Sequence, residues 1–288
     1  MMDEFYHMAH IIEIDDVCWH EFLTNPCKFK HGSVINRHGN LKYKITAGCS
    51  GKIETMTGPV VMWFHIDIHK RLSGHGINVL SGVKSIIDGL KGDSGYISDD
   101  QLIVRFKLTI REIESRYKES AHIEISPYGI PSHAMGMDKV LYFPGKIPSI
   151  QPAIDTSASR AEMIRKINSY YEECNSSVIA FIHTMKALSL RAHELHILCV
   201  FGQPKSTPRK THCTKAPDVD NILRFFLMLL DRKGSGFILP SSSKFAVYKY
   251  YNDTDELYAF TGHRVLEPGV YIQAGRLLDK ASKWIDHR

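Results

Sequence analysis

The sequence predicts an α+β protein made of two units, each a small mixed sheet packed with helices. In the first half, the strand-like run Val60 to Ile68 is followed by a Gly-rich loop and the amphipathic run Val79 to Leu90. In the second half, the strand-like run Glu194 to Phe201 is followed by a basic loop and the apolar run Ile222 to Leu230. The order of strand, polar loop, helix and strand therefore occurs twice, with element types assigned from the spacing of apolar residues.

A boundary between the two units is predicted in the segment from Ser126 to Gly136, which is rich in turn-forming residues and has no apolar period. The predicted units are accordingly residues 1–136 and 137–288. The other strands predicted in the first unit are Met8 to Ile14, Gln101 to Ile110 and His122 to Ser126.

The second unit is predicted to open with a short strand, Lys139 to Phe143. A hydroxyl at Ser159 and a carboxylate at Glu162 have the spacing of a capping box and predict the start of a long helix. The buried face of that helix is predicted from apolar residues three and four apart, which are Met163, Ile167, Tyr170, Cys174, Val178, Phe181 and Met185. Further on, Lys244 to Tyr251 and Glu256 to Val265 are predicted to form an antiparallel pair of strands joined by a polar turn.

The composition is that of a soluble globular protein, with 43% apolar and 23% charged residues among 288. No run approaches the roughly 18 apolar residues that a membrane span needs, and the N-terminus has no signal-peptide pattern. The six cysteines are scattered and form no CxxC pair, which is typical of reduced thiols. We therefore expect a cytoplasmic protein that does not engage a membrane.

The net charge of +5 is concentrated in the second unit. Residues 1–136 hold 15 Lys plus Arg against 16 Asp plus Glu, whereas residues 137–288 hold 21 against 15. Much of the excess lies in one loop, at Lys205, Arg209, Lys210 and Lys215. Contact with a polyanion such as DNA is the functional interpretation, because phosphate contacts supply much of the affinity in such complexes. A solvated basic loop is the alternative.

Two carboxylates, Asp218 and Asp220, follow this loop directly. In an extended segment alternate side chains point the same way, so both carboxylates can face one cation. Oxygen ligands suit Mg²⁺ or Mn²⁺, and such an ion can activate water and polarise a phosphodiester. The alternative is that Asp220 caps the N-terminus of the following helix.

The segment Pro217-Asp218-Val219-Asp220-Asn221, placed between a strand with its basic loop and a helix, resembles the RusA family of crossover-junction endodeoxyribonucleases. The similarity extends back to Val140 to Gly145, which resembles the opening strand and Pro-rich turn of that family, and to the helix at 159–186. The resemblance implies a small α+β domain that acts as a homodimer on four-way DNA junctions with Mg²⁺. It also implies a catalytic set made of two aspartates in an Asp-x-Asp-Asn motif, a lysine on the next helix and an aspartate of a later Asp-Asp pair.

Neither half carries this set in full. The second half keeps the two aspartates of the motif, Asp218 and Asp220, and has a cation, Arg224, at the lysine position. It has no acid at the position of the later pair. The first half keeps the lysine, Lys84, and the later pair, Asp99 and Asp100. It has no carboxylate at the position of the Asp-x-Asp-Asn motif. The resemblance implies that the aspartates bind the metal and that Lys84 or Arg224 stabilises charge on the scissile phosphate.

Three hypotheses follow. In the first, a tandem duplication forms a pseudo-dimer within the chain, and the acids kept by the two halves meet in one composite site. In the second, the second half is active alone and another acid replaces the missing ligand: Asp231, Asp253 or Asp255. Both predict an endonuclease that resolves Holliday junctions or other branched DNA in recombination and repair, as a pseudo-dimer or a homodimer. In the third, the motifs have decayed, and the chain binds branched DNA or a partner protein without cleavage.

Overall fold

The structure is a computed structural model of the chain. It describes residues 9–15, 17, 19, 54–69, 76–92, 95–115, 118–129, 135–137, 140–147, 157–188, 193–204, 213–214, 217–232 and 242–276.

The described residues form eight strands and five α-helices. The strands are β1 (His10–Asp15), β2 (Val60–His69), β3 (Ile103–Ile113), β4 (Ser120–Pro127), β5 (Leu141–Pro144), β6 (His193–Phe201), β7 (Ser242–Tyr251) and β8 (Gly269–Arg276). The helices are α1 (Gly76–Leu90), α2 (Ser157–Glu173), α3 (Asn175–Leu188), α4 (Val219–Arg232) and α5 (Asp255–Thr261). A short 3₁₀ helix, Asp100–Leu102, precedes β3. None of the described helices is long and apolar enough to cross a lipid bilayer.

All eight strands belong to one mixed sheet, in the order β1-β4-β2-β3-β7-β6-β8-β5. The pairing is the same from either outer edge to the centre, because β2 is parallel to β3 and antiparallel to β4, and β6 is parallel to β7 and antiparallel to β8. The halves join where β3 and β7 run antiparallel, with Leu108 opposite Phe245. The predicted α+β class is confirmed, and the sheet continues across the predicted boundary, which follows β4.

The main hydrophobic core lies between one face of the sheet and helices α1 to α4. Phe245 and Val247 of β7 enter this core, whereas Tyr248 and Tyr250 point to the opposite face, into a smaller cluster with residues of α5. The α1 and α4 helices pack against each other. The contact between these two helices brings together segments that the sequence places in different halves.

The predicted long helix is instead two helices, α2 and α3, which meet at Cys174. Its predicted buried face is confirmed for the residues whose side chains are described: Ile167, Tyr170, Cys174, Val178, Phe181 and Met185. The backbone bonds continue through the junction, since the Cys174 N–H donates to Tyr170 O and the Cys174 carbonyl accepts from Val178 N. The apolar face therefore keeps its register although the helix is interrupted.

The predicted strand from Glu256 to Val265 is wrong. This segment begins as α5, which the Thr254 hydroxyl caps by accepting a hydrogen bond from Leu257 N, and which Gly262 ends in the left-handed conformation. The antiparallel neighbour of β7 is β3, and the next strand in the chain, β8, pairs with β6. Local capping signals thus outweighed the alternation on which the strand prediction depended.

Candidate active site

The paired aspartates of the second half lie at the N-terminus of α4. Asp218 occupies the capping position, because its carbonyl accepts the first helical hydrogen bond from Ile222 N. Asp220 lies in the first turn and is 4% exposed. The alternative interpretation of Asp220 as the cap is therefore wrong. The Asn221 side-chain amide donates to Asp218 Oδ2 at 3.2 Å, which orients that carboxylate.

Lys84 of the first half reaches this helix terminus from α1. Its Nζ lies 3.3 Å from Asp220 Oδ2, and on its own helix it lies 3.7 Å from Asp88 Oδ1, one turn away. Lys84 Nζ is also 3.9 Å from Asp100 Oδ2. One ammonium group thus contacts carboxylates from both halves of the chain.

The predicted pair Asp99 and Asp100 divides into two roles. The exposed Asp99 caps the 3₁₀ helix, accepting a hydrogen bond from Gln101 N at 2.8 Å. Asp100 is buried, and its Oδ2 accepts from Lys91 Nζ at 2.8 Å. The structure therefore brings Asp100 to the site and leaves Asp99 at the surface of the 3₁₀ turn.

The charged side chains of this cluster shift one another's pKa values. Burial raises the pKa of Asp218, and repulsion from Asp100 and Asp220 raises it further. Burial also raises the pKa of Asp220, against the attraction of Lys84. Burial alone would lower the pKa of Lys84, but the charges of Asp220, Asp88 and Asp100 outweigh it and raise that pKa.

Asp100 behaves in the opposite way to the other two aspartates. Burial would raise its pKa, but the hydrogen bond and charge of Lys91, with help from Lys84, hold that pKa below its ordinary value. Asp100 therefore favours its ionised form, with its Oδ2 paired to Lys91 and Lys84, whereas Asp218 and Asp220 carry negative charge that their surroundings only partly compensate. Such a division of roles among carboxylates is typical of functional sites.

Two further cations lie at the second-half side of the cluster. Lys249 of β7 is 0% exposed, and its Nζ has no hydrogen-bond partner among the described residues. Burial lowers its pKa, while the nearby charges of Asp218 and Asp100 favour its ionised form. Arg224, one turn after Asp220 in α4, is half-buried, and burial lowers its pKa against the attraction of Asp220.

Several acceptor oxygens of this cluster are buried and lack a partner within the described part of the chain. They are Asp218 Oδ1, Asp220 Oδ1 and Asn221 Oδ1. Unpaired buried acceptors are costly, and oxygens of this kind are the ligands that Mg²⁺ and Mn²⁺ prefer. The described residues nevertheless hold no group of three or more His, Cys, Asp or Glu side chains close enough to bind a metal. The donor set that fits a cation is thus two carboxylates and one amide, with lysines beside them.

Two of the three acids proposed to complete a site within the second half alone make other contacts. Asp255 Oδ1 accepts from Arg264 Nη2 at 3.1 Å, and Asp253 Oδ1 lies 3.7 Å from Arg264 Nε. The third such acid, Asp231, belongs to the last turn of α4, and its side chain lies outside the described residues. The basic-loop residues Lys205, Arg209, Lys210 and Lys215 also lie outside the described residues, so their role stays a prediction.

Lys91 and Lys249 are site residues that the sequence prediction did not include. Lys91 and Asp88 are three residues apart across the end of α1, at a distance of 3.2 Å, and that spacing was the available signal. Lys249 has a stronger signal, because it follows Phe245 and Val247 at steps of two and so falls on the core face of β7. A lysine in phase with core residues of a strand indicates a buried cation.

The chain matches no protein-family model, no curated protein and no solved structure.

Proposed function

We propose that this chain is a Mg²⁺-dependent endonuclease of branched DNA, including four-way junctions, that acts in recombination and repair. The observation that supports the proposal is the meeting of Asp218 and Asp220 from the second half with Lys84 and Asp100 from the first. Both Asp220 Oδ2 and Asp100 Oδ2 contact the same Lys84 ammonium group, at 3.3 and 3.9 Å. This shared contact supports the composite-site hypothesis for Asp100, although Asp99 takes no part in it.

Asp218 and Asp220, with Asn221, are the residues that would hold the cation. Their three unpaired oxygens fit a hard divalent ion, whose remaining positions water would fill. Bound there, Mg²⁺ or Mn²⁺ would polarise a phosphodiester and lower the pKa of a coordinated water. The raised pKa of Asp218 and of Asp220 fits the same role, since a divalent cation would offset the burial and the repulsion that raise these pKa values.

The lysines of the site would act on the nucleic acid. Lys84 and Lys91 already neutralise carboxylates, and either ammonium can turn to a phosphate oxygen when a metal compensates those carboxylates. Three residues before Asp218, Lys215 ends the basic loop that we expect to hold the DNA backbone. We place this activity in a reducing, cytoplasm-like compartment, with the two halves of the chain acting as a pseudo-dimer.

A second candidate function is binding of branched DNA, or of a partner protein, without cleavage. The observation that favours it is the ion pairing itself, because Lys84 and Lys91 supply the positive charge that a metal would otherwise bring. In that case the cluster would be a structural remnant that stabilises the contact between α1 and α4. Phosphate contacts by the basic loop would remain.

The test is cleavage of a synthetic four-way junction with each strand labelled in turn. Wild type should cut in Mg²⁺ and not in EDTA, and Asp220→Asn should bind the junction without cutting it. Asp255→Asn is the matched control, because its carboxylate pairs with Arg264; it should cut like wild type. Wild-type protein that binds the junction but never cuts it would favour the second candidate.

A further inference from the structure

We infer that the chain carries one cleavage site across its two halves and therefore nicks a single strand of each branched DNA that it binds. This inference rests on the proposed function and specifies its product. A symmetric resolvase cuts two strands of a four-way junction, and two cuts from one complex require two sites.

The strands of the sheet are arranged with approximate two-fold symmetry. From the edge to the centre the order is β1-β4-β2-β3 in the first half and β5-β8-β6-β7 in the second, with the same parallel and antiparallel pairings. In each half we call β2 or β6 the first strand and β3 or β7 the second strand. α1 joins the first strand to the second in one half, and α4 does so in the other. Because β3 and β7 are antiparallel neighbours at the centre, the two halves are related by an approximate two-fold axis there. Any site near this axis therefore has a symmetry-related counterpart.

Each half contains two connections that can supply acids: one enters the helix, and the other leaves it for the second strand. In the second half the entering connection carries Asp218 and Asp220, whereas the stretch from Arg232 to Asn252 contains no acidic residue. In the first half the leaving connection carries Asp99 and Asp100, whereas the stretch from Ile68 to Ile87 contains none. Each half has thus kept one of its two acidic connections, and the halves have kept opposite ones.

The fold brings the two acidic connections to the same place. Lys84 of α1 contacts Asp220 at the start of α4 and Asp100 in the turn after α1. By symmetry, the start of α1 is the counterpart of the start of α4, and it belongs to one of the acid-free stretches of the sequence. At the start of α1, Leu80 is a buried apolar side chain 4% exposed. Leu80 precedes Lys84 by four residues, as Asp220 precedes Arg224, so with these two cations matched Leu80 stands where α4 has Asp220, and the counterpart lacks that metal ligand.

The reaction at the single site is hydrolysis of one phosphodiester. Water adds to phosphorus, the bond from phosphorus to one sugar oxygen breaks, and a hydroxyl and a phosphate monoester result. The second strand of the junction would lie at the acid-free counterpart, where Arg224 of α4 takes the position that Lys84 has in α1. A cation there can hold a phosphate, but the two acid-free stretches supply no carboxylate pair to bind a metal with it.

The experiment uses a supercoiled plasmid whose inverted repeat extrudes a four-way junction. A first nick relaxes the plasmid and reabsorbs the junction, so a linear product arises only when the same complex makes two cuts before it dissociates. With Mg²⁺ and with protein below the plasmid concentration, the full-length chain should convert supercoiled plasmid to nicked circles. Nicked circles with at least tenfold less linear product are the expected result.

Each other outcome has a separate meaning. Direct conversion to linear plasmid would overturn the single-site inference while leaving the proposed function standing. A plasmid that stays supercoiled although the protein binds it would overturn the proposed function, and the inference with it.

Two variants locate the site. Asp220→Asn should abolish nicking completely, because no second site remains to cut, and residual nicking by this variant would show that the counterpart is active. Asp255→Asn removes a carboxylate that pairs with Arg264, away from both positions, and it should nick like wild type. A circular-dichroism spectrum of each variant excludes loss of folding as the cause.

Discussion

Replacement of Lys84 by methionine tests the electrostatic account of the site most sharply. The Lys84 ammonium lies 3.3 Å from Asp220 Oδ2, 3.7 Å from Asp88 Oδ1 and 3.9 Å from Asp100 Oδ2. Methionine keeps the length of the aliphatic chain and removes the charge. The substitution therefore leaves the packing of α1 on α4 in place and removes the cation that the carboxylates share.

The magnitude follows from the geometry. At an effective dielectric constant of about 20, a pair of unit charges at the Lys84–Asp220 distance attracts by about 5 kcal/mol. Desolvation of the ammonium offsets part of this, and loss of one partner of a buried ion pair costs about 3–5 kcal/mol. We expect Lys84→Met to lower the free energy of unfolding at pH 7 in EDTA by about 3 kcal/mol.

The pH dependence has a definite sign. Without Lys84, burial and the charges of Asp100 and Asp88 raise the pKa of Asp220 further above its ordinary value of 3.8. The folded variant then takes up a proton at a higher pH than the unfolded chain does. Its loss of free energy of unfolding relative to wild type is therefore largest above the raised pKa of Asp220. Part of the deficit should disappear as the pH falls through that pKa towards 3.8.

The assay is urea unfolding followed by circular dichroism, in EDTA and in excess Mg²⁺. A cation present at 100 times its dissociation constant stabilises the folded state by about 2.7 kcal/mol. The gain should be larger for Lys84→Met than for wild type, because Mg²⁺ no longer competes with the ammonium. Lys166→Met removes a surface lysine whose Nζ lies 3.1 Å from Glu162 Oε1, and it should leave the midpoint unchanged. A Lys84→Met protein that unfolds like wild type, with or without Mg²⁺, would show that the Lys84 charge does not stabilise the buried carboxylates.

Three further substitutions test other residues of the carboxylate cluster and the turn that carries Asp100. Asp218→Asn should raise the free energy of unfolding at pH 7 by about 0.5–2 kcal/mol while abolishing cleavage, because it removes a carboxylate that its surroundings disfavour. Since the pKa of Asp218 is raised, this gain should shrink as the pH falls towards 4; urea melts across that range measure it, and a loss of stability at pH 7 would contradict the account. Lys249→Met should stabilise the protein by about 1–3 kcal/mol, because the buried Nζ has no hydrogen-bond partner in the described residues. Because the pKa of Lys249 is lowered, the extra stability of Lys249→Met over wild type should diminish above that pKa, towards pH 10.5. Extra stability that persists at pH 10.5 would show that the buried charge of Lys249 is not its cause. Gly95→Ala should destabilise by about 1–3 kcal/mol and reduce cleavage, because its methyl group would meet the Leu90 carbonyl and displace the turn that carries Asp100; an unchanged melting temperature would exclude that contact.

The elements that the sequence predicted well are those with long, regular apolar patterns. β2, α1, β6 and α4 were all located from such patterns, and the buried face of α2 and α3 was correct through the break at Cys174. The failure came in the short segment after β7, where Thr254 and Gly262 supply helix caps that determine α5. In a segment of seven helical residues, capping bonds weigh more than any periodicity.

The site was predictable only in its parts. The sequence shows which connections keep acids, but the meeting of Asp220 with Lys84 depends on β3 pairing with β7, a contact between distant segments that no local pattern encodes. The sequence also could not separate Asp99 from Asp100, because the 3₁₀ turn decides which of two adjacent carboxylates is buried. Lys249 was missed although its phase along β7 was visible.

Titration of the folded chain with Mn²⁺, followed by the paramagnetic resonance signal of the free ion, shows whether the carboxylate cluster binds a divalent cation. Asp218, Asp220 and Asn221 should hold one cation, with the charge of Asp100 from the first half beside it, so wild type should remove about one Mn²⁺ per chain from solution. Asp220→Asn should abolish this binding, and Asp100→Asn should weaken it about tenfold, equivalent to about 1.4 kcal/mol. Absence of binding by the wild-type chain, or binding that Asp100→Asn leaves unchanged, would contradict a metal site shared by the two halves.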